Sequence, residues 1–288
     1  MHAAISIDAG WLVTVVLLSL RLGAAFIATP LLGSQSVPLT IRALIVLGLA
    51  AVLSLGLPGA EVAARAPGGA MGGGGALLQA GFCELALGAT LGLGILVAFA
   101  SISMAGQLLG VQMGFGLGQV IDPATRRQVP IVAAAFDQLA VLAFFLVNGH
   151  HALLRGLAYS LERFPLGQPW PLERAVEPVL QQVGGLFTLG FALAAPVVFC
   201  VLMVEVALGV VARNMPQINM LTMGIPVKII VGIIALSVWL GGVGPTLDRV
   251  YASIYRTWDA IFPVAAAVDL TAPPARLAAL LAGRPGGA

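Results

Sequence analysis

Charged residues are scarce in this sequence. Of its 288 residues only 9% are Asp, Glu, Lys or Arg, whereas 59% are hydrophobic. A soluble protein carries about 25% charged residues, so the composition excludes an ordinary soluble protein and indicates a chain that crosses a membrane several times. The net charge is only +2, with no basic cluster beyond Arg126-Arg127, which gives no indication of nucleic-acid binding.

Cysteine and histidine are also scarce, which argues against disulfide frameworks and metal sites. The two cysteines, Cys83 and Cys200, lie in apolar runs and are predicted to be buried thiols. Neighbouring helical side chains such as His150 and His151 point about 100° apart, which makes them poor co-ligands. The sequence has no carboxylate–histidine metal motif, no Gly-flanked serine nucleophile and no dinucleotide fingerprint. We expect neither catalysis nor a cofactor.

Long hydrophobic runs, by contrast, recur along the chain. A membrane helix needs about 20 apolar residues, and runs of that order lie at 11–32, 41–58, 77–105, 129–148, 184–212 and 221–244. Because backbone groups in lipid must be satisfied within helices, the pattern predicts an all-α integral membrane protein with six helical segments arranged as hairpins. The Gly-rich stretch 59–75 is predicted to be a flexible linker and 159–182 a polar connection.

The end of the chain has a different pattern. Over residues 246–262, apolar and aromatic residues recur at helical spacing on one side and polar residues fill the other, which predicts an amphipathic helix. Such a helix lies on a membrane surface or a partner, or packs on the protein's own bundle; the sequence leaves both open. Residues 263–288 are predicted to be a low-complexity, disordered tail.

Five charged residues nevertheless fall inside the apolar runs. They are Arg21, Glu84, Asp137, Glu205 and Lys228. Each costs about 2.5–3.5 kcal/mol at the centre of a membrane, so none should face lipid. They form either an ion or proton path, or pairs with one another or with a partner subunit. We favour pairing, because both signs are present and no two acids lie one turn apart.

The most unusual stretch is GQLLGVQMGFGLG at 106–118, where glycines interrupt an apolar run. A glycine inside a helix costs about 1 kcal/mol relative to alanine, but it permits close backbone approach and departure from helical geometry. Four-residue steps drift by about 40° around a helix, so these glycines do not form one stripe. We predict that Gly106 and Gly110 let a helix pack closely, and that 112–121 leaves the helix as a deformable segment.

Helix breakers mark the last two runs. Pro196 lies within the fifth run, Pro216 separates the fifth from the sixth, and Gly224-Ile225-Pro226 opens the sixth. Broken helices of this kind are typical of secondary transporters, and equally of bundles whose helices curve around a pore.

Four motifs occur in a fixed order along the chain. They are GQLLGVQMGFGLGQVIDP (106–123), QVP (128–130), NGHHALLRGL (148–157) and RNMPQINMLTMGIPVKI (213–229), with SVP at 36–38 before them. Together they resemble the FliR family of type III secretion export-gate proteins of the flagellum. The resemblance covers residues 1–245 and identifies them as an export-gate membrane domain.

The resemblance implies a non-enzymatic subunit of an inner-membrane assembly in the flagellar basal body. Members of this family join FliP and FliQ subunits, with FlhB and FlhA associated, and the assembly passes unfolded secreted proteins while contacting membrane lipid. The implied fold is FliP-like hairpins followed by FliQ-like hairpins, all bent.

The resemblance also implies roles for individual residues. The Gly-rich segment, residues 106–123, corresponds to a loop that plugs the closed pore, with Gly110, Gln112, Met113, Gly114, Phe115, Gly116, Gly118, Asp122 and Pro123 on the plug. Packing between subunits is assigned to Gly106, Pro216, Gln217, Asn219, Gly224, Pro226 and Lys228. Two alternatives remain: the equivalent subunit of a virulence injectisome, and a small-molecule secondary transporter with its substrate near Glu84, Asp137 or Glu205.

Overall fold

Eight α-helices account for most of the described chain. The computed structural model describes residues 9–29, 37–56, 74–117, 119–121, 128–215 and 220–262. The helices are α1 Ala9–Ile27, α2 Leu39–Ser54, α3 Gly74–Gln112, α4 Ile131–Leu146, α5 Gly149–Arg163, α6 Glu173–Asn214, α7 Met220–Leu240 and α8 Gly244–Ile261. A 3₁₀ turn, Phe115–Leu117, and two short strands, β1 Gln119–Ile121 and β2 Gln128–Pro130, lie between α3 and α4. The predicted all-α class is confirmed, and this short hairpin is the addition to it.

The length of each helix decides which can cross a bilayer. In the described part of the chain, α1, α3, α6 and α7 are long and apolar enough, and the bent pair α4–α5 makes a fifth span if it is counted as one. Helix α2 has 16 residues, fewer than the roughly 20 that a span needs. Each of the six predicted runs therefore contains a helix, but length and composition support four or five spans.

The helix ends differ from the predicted ones where proline and glycine were read as breakers. Helix α6 begins at Glu173 and α5 extends to Arg163, so the predicted connection at 159–182 shrinks to 164–172. Pro178 and Pro196 lie inside α6. Each removes one backbone hydrogen bond, which a membrane helix tolerates when its neighbours re-satisfy the freed group. Of the predicted linker 59–75, residues 74–75 belong to α3 and 59–73 lie outside the described residues. The predicted tail, 263–288, lies outside them as well.

The break between α4 and α5 has a local cause. Asn148 adopts a φ of +55°, a conformation that Asn accepts more readily than most residues. The following residue must be glycine, because a Cβ on Gly149 would lie 2.4 Å from the ring of Phe144.

The chain divides into two compact units. Unit 1 consists of Met1–Ile95, His150–Val179 and Tyr255–Ala288, and unit 2 of Leu96–Gly149 and Leu180–Ile254. Helices α3, α5, α6 and α8 contribute residues to both, α5 only its first residue to unit 2.

A buried ion pair lies at the centre of unit 1. Arg21 on α1 donates through Nε to Glu84 Oε2 on α3 at 2.5 Å, and both side chains are 1% exposed. The other guanidinium nitrogens donate to Ser160 Oγ at 3.2 Å and to the carbonyl of Phe164 at 2.9 Å. Glu84 Oε1 accepts the backbone N–H of Gly167 at 3.0 Å. The network therefore ties α1, α3 and the end of α5 together with the loop that follows it.

Helices α1 and α3 approach each other at backbone distance. A Cβ on Gly88 would lie 2.1 Å from the carbonyl oxygen of Arg21, and one on Gly92 would lie 2.5 Å from the Cβ of Ala28. Small residues four positions apart are the usual device for such close crossings in membranes.

Helix α8 buries its apolar side on the chain itself. In unit 1, the indole N–H of Trp258 donates to the carbonyl of Leu91 at 3.2 Å, and its ring lies over Gly156. In unit 2, the Tyr251 hydroxyl donates to the carbonyl of Ala140 at 2.6 Å. Burial raises the pKa of Tyr251, which keeps this donor protonated. Of the two alternatives for the amphipathic pattern, the structure shows packing on the protein's own bundle.

The prediction of two buried thiols is wrong. Both cysteines are free, but Cys83 is only partly covered and Cys200 is exposed. Cys83 lies on a face of α3 that the chain covers only partly, and Cys200 on a face of α6 that it leaves exposed. An apolar run in the sequence therefore does not make every one of its residues interior.

We expect Gly88→Ala to destabilise the protein by about 1–3 kcal/mol, because the added methyl group meets a backbone oxygen that cannot move away. The matched control is Gly184→Ala on α6, where a Cβ meets nothing within 4 Å. There the higher helix propensity of alanine should stabilise by up to about 1 kcal/mol. Thermal denaturation of the detergent-purified protein checks both, and equal effects of the two variants would contradict the close crossing.

Glu84→Gln should cost about 3–5 kcal/mol, because it leaves the buried charge of Arg21 without its counter-ion. The control is Glu205→Gln, in a pair with Lys228 whose side chains are 34% and 27% exposed. In the isolated, detergent-purified chain this pair is not enclosed by other residues, so its loss should cost about 1 kcal/mol or less. The denaturation midpoints of the two variants give the comparison; a larger loss for Glu205→Gln would reverse our ranking of the two pairs.

Candidate functional site

The Gly-rich segment begins as the last turns of α3, which pack tightly on α4. A Cβ on Gly106 would lie 2.9 Å from the Cα of Ala133 and 2.7 Å from the Cβ of Phe136, and one on Gly110 would lie 2.7 Å from the Cβ of Pro130. Two glycines thus give α3 its close approach to the start of the next helix. The contact of Gly106 lies within the chain, whereas the sequence assigned this residue to packing between subunits.

The chain leaves the helix directly after Gln112. The N–H of Met113 still donates to the carbonyl of Leu109 at 2.9 Å, but the N–H of Gly114 donates to Val111, one residue short of the helical pattern. Gly114 has a φ of +88°, the left-handed conformation in which glycine commonly ends helices. The 3₁₀ turn follows at once, and we call residues 113–117 the turn segment.

A small hairpin closes the loop behind the turn segment. Strands β1 and β2 pair antiparallel, with Gln119 opposite Pro130 and Ile121 opposite Gln128. Pro130 then provides the position before the first residue of α4. This pairing returns the chain to the end of α3, where Pro130 fills the space beside Gly110.

Met113 is the buried side chain of the turn segment. It is 1% exposed, and a Cβ on Gly232 of α7 would lie 2.7 Å from both its Cγ and its Cε. A Cβ on Gly114 would lie 3.5 Å from the Cγ2 of Ile225 on the same helix, whereas one on Gly116 would meet nothing within 4 Å. The segment therefore contacts α7 at its start and becomes open further on.

The structure describes some of the predicted plug residues and not others. Gly110 and Met113 are buried, Gln112, Gly114 and Phe115 are partly exposed, and Gly116 is exposed. Gly118, Asp122 and Pro123 lie outside the described residues.

The predicted packing residues of the last motif are likewise divided. Pro216, Gln217 and Asn219 lie outside the described residues. Gly224 is buried near Leu208 of α6, and Pro226 lies inside α7, which begins at Met220 rather than at the predicted Gly-Ile-Pro break. Pro226 is the seventh residue of α7, beyond the first four N–H groups that lack a helical acceptor, so it removes one interior hydrogen bond, which a membrane helix tolerates when its neighbours re-satisfy the freed group.

The predicted buried charges do not share one environment. Arg21 and Glu84 are buried and paired, as described for unit 1. Lys228 Nζ donates to Glu205 Oε1 in unit 2, but this pair is partly exposed, and Asp137 on α4 is partly exposed as well. Within this chain alone the faces that carry Glu205 and Asp137 are only partly covered, so their burial in an assembly stays a prediction.

One residue of this site, Gly232, was not singled out from the sequence, and Ile225 was named there only as part of the Gly-Ile-Pro helix breaker. Gly232 lies in an apolar run without any motif around it, and its importance arises only from its contact with Met113. A glycine inside a helix costs about 1 kcal/mol relative to alanine and needs a reason, which is the one signal that could have selected it.

Among the described residues, no group of three or more His, Cys, Asp or Glu is placed to hold a metal ion. The site consists of the end of α3, which packs on α4 at Gly106 and Gly110, the left-handed Gly114, and the Met113 side chain, which is buried against α7.

Sequence comparisons place the chain among known proteins. The family described as "Bacterial export proteins, family 1" matches residues 12–254. The chain is 30% identical over 247 residues to the flagellar biosynthetic protein FliR of Bacillus subtilis, which covers 84% of this chain and 91% of the relative. It is 29% identical over 238 residues to FliR of Escherichia coli, covering 82% and 88%. The secretion system apparatus protein SsaT of Salmonella typhimurium is 24% identical over 154 residues, covering 53% and 60%.

These matches cover every helix of the site, from the close crossing of α3 and α4 to the seat of Met113 on α7. With most of its length matched, the chain belongs to the bacterial export proteins, family 1.

Proposed function

We propose that this chain is a non-enzymatic subunit of the flagellar type III protein export gate. It forms, with FliP and FliQ subunits and in association with FlhB and FlhA, a channel for unfolded flagellar proteins in the bacterial inner membrane, at the flagellar basal body. The Gly-rich segment plugs this channel until a substrate or a partner's rearrangement opens it.

The observation that carries the proposal is the turn segment, which leaves the α-helix at the end of a 39-residue apolar helix. It starts from a tightly packed helix end and buries Met113 on α7, while Gly116 further along is open. Its composition of Met, Phe and Gly is apolar but deformable, because thioethers fill irregular gaps and glycine lets the backbone move. These properties suit a reversible closure.

The uncovered helix faces support an assembly of several subunits. Only 22% of the most apolar window of α6 and 11% of that of α7 are buried within the chain. The Lys228–Glu205 pair lies partly exposed on these two helices, and charged groups are costly against lipid. Neighbouring subunits that cover this pair would remove the cost.

Two of the three acids that the transporter alternative names already have partners in the chain, which weakens it. Glu84 is committed to Arg21 and to the N–H of Gly167, and Glu205 to Lys228. The flagellar system is favoured over the injectisome because both FliR relatives align over more of the chain and at higher identity than SsaT does.

Deleting residues 110–118 from the assembled gate should raise its ion leak, because the deletion removes the turn segment and the end of α3 on which it is built. Ion conductance of membranes that contain the export complex, normalised to co-purified complex, measures this. No rise in leak at normal assembly would exclude the plug function.

A control deletion of equal length, residues 280–288, should leave the leak unchanged. If the deletion of 110–118 reduces the amount of complex, replacing the same residues with a Gly/Ser sequence of equal length keeps the chain connection. That variant should also leak, because it lacks the apolar side chains that fill the pore.

A further inference from the structure

We propose that Gly232 on α7 is the seat that holds the turn segment closed, and that opening requires Met113 to leave this seat. The inference rests on the proposed function and adds to it the residue pair that decides between the closed and the open position. Gly232 lies outside the Gly-rich segment and outside the last sequence motif.

Met113 is more deeply buried than the residues next to it in the chain. Met113 is 1% exposed, whereas Gln112 and Phe115 on either side are partly exposed and Gly116 is exposed. Within the described part of the turn segment, Met113 is the side chain that is fully enclosed. It is therefore the anchor by which this segment attaches to α7.

The Met113 side chain fills the space that the missing side chain of Gly232 leaves on α7. The thioether occupies the place where any larger residue at position 232 would put its Cβ, since that atom would lie 2.7 Å from Cγ and Cε and 3.2 Å from Sδ. Gly232 thus leaves a notch in the surface of α7 that is large enough for one side chain. The unbranched methionine side chain has three rotatable bonds, so it can fill such a notch and leave it without moving the helix.

The chain is tightly packed before Met113 and loosely packed after it. Before it, Gly106 and Gly110 fix the end of α3 against α4 and Pro130 at distances that leave no free space. After it, Gly114 adopts a φ of +88°, and Gly116 has no neighbour within 4 Å of a Cβ position. A movement of the segment therefore begins at Met113, and release from Gly232 is its first step.

The first experiment fills the seat. Gly232→Leu places a side chain where Met113 lies, so the closed position is overpacked and the ion leak of assembled complexes should rise about tenfold. The double variant M113A/G232L should return the leak to the wild-type level, because the new leucine then fills the space that alanine vacates. A merely structural role for Gly232 would lower the amount of complex in both variants and would not produce this reversal.

The second experiment locks the seat. In a background with Cys83→Ala and Cys200→Ala, the pair M113C/G232C places two cysteines where the Met113 side chain contacts Gly232. A disulfide joins residues whose Cβ atoms lie about 3.5–4.5 Å apart, which this contact allows. Oxidised complexes should lose export of flagellar proteins, and reductant should restore it. The matched control is G23C/V46C between α1 and α2, where the Gly23 Cβ position lies 3.6 Å from Val46 Cγ1; its oxidation should leave export unchanged.

The outcomes separate this proposal from the one on which it rests. If deletion of 110–118 leaks but Gly232→Leu does not, or if oxidised M113C/G232C exports as well as the reduced form, the seat is wrong and the plug stands. If neither the deletion nor Gly232→Leu leaks at normal assembly, the proposed plug itself is wrong.

Discussion

The structure depends most on the pairing of Arg21 with Glu84. A guanidinium presents its donors in a fixed planar fork, and here its three nitrogens are directed to α3, to the Ser160 hydroxyl and to the carbonyl at the end of α5. A buried charge without this complete set would cost several kcal/mol. The requirement fixes the register of three elements of unit 1 at once, and Gly88 lets the backbones come close enough to meet it.

The site in unit 2 is not fixed throughout in this way. It is tightly packed at the end of α3 and becomes more open along the turn segment. Gly106 and Gly110 at the end of α3 lie against atoms of α4 and Pro130, and the Met113 side chain lies against Gly232. Gly116, two residues after the left-handed Gly114, would have no neighbour within 4 Å of a Cβ. A protein interior is nearly as dense as a crystal and cannot deform continuously. A segment that must move is therefore best held by one removable side chain on a fixed base.

The isolated chain leaves much of its apolar surface uncovered, especially on α6 and α7. Exposed side chains on these helices include Phe187, Phe191, Phe199, Ile234 and Val238. Helices that cross a membrane can turn such apolar faces to lipid or to neighbouring subunits. In the proposed assembly, neighbouring subunits would cover the partly exposed Glu205 and Lys228.

Sequence alone determined the membrane class, the positions of the main helices and the departure from helix after Gln112, because hydrophobic run length and local glycine content are properties of neighbouring residues. It did not give the true ends of α6, since a proline breaks a helix only where the surrounding structure fails to satisfy the freed group. It left open which charges pair, whether the amphipathic helix faces lipid or the bundle, and what Gly232 does. Those points depend on residues far apart in the chain, such as Arg21 with Glu84 and Met113 with Gly232, and only tertiary packing brings them within contact distance.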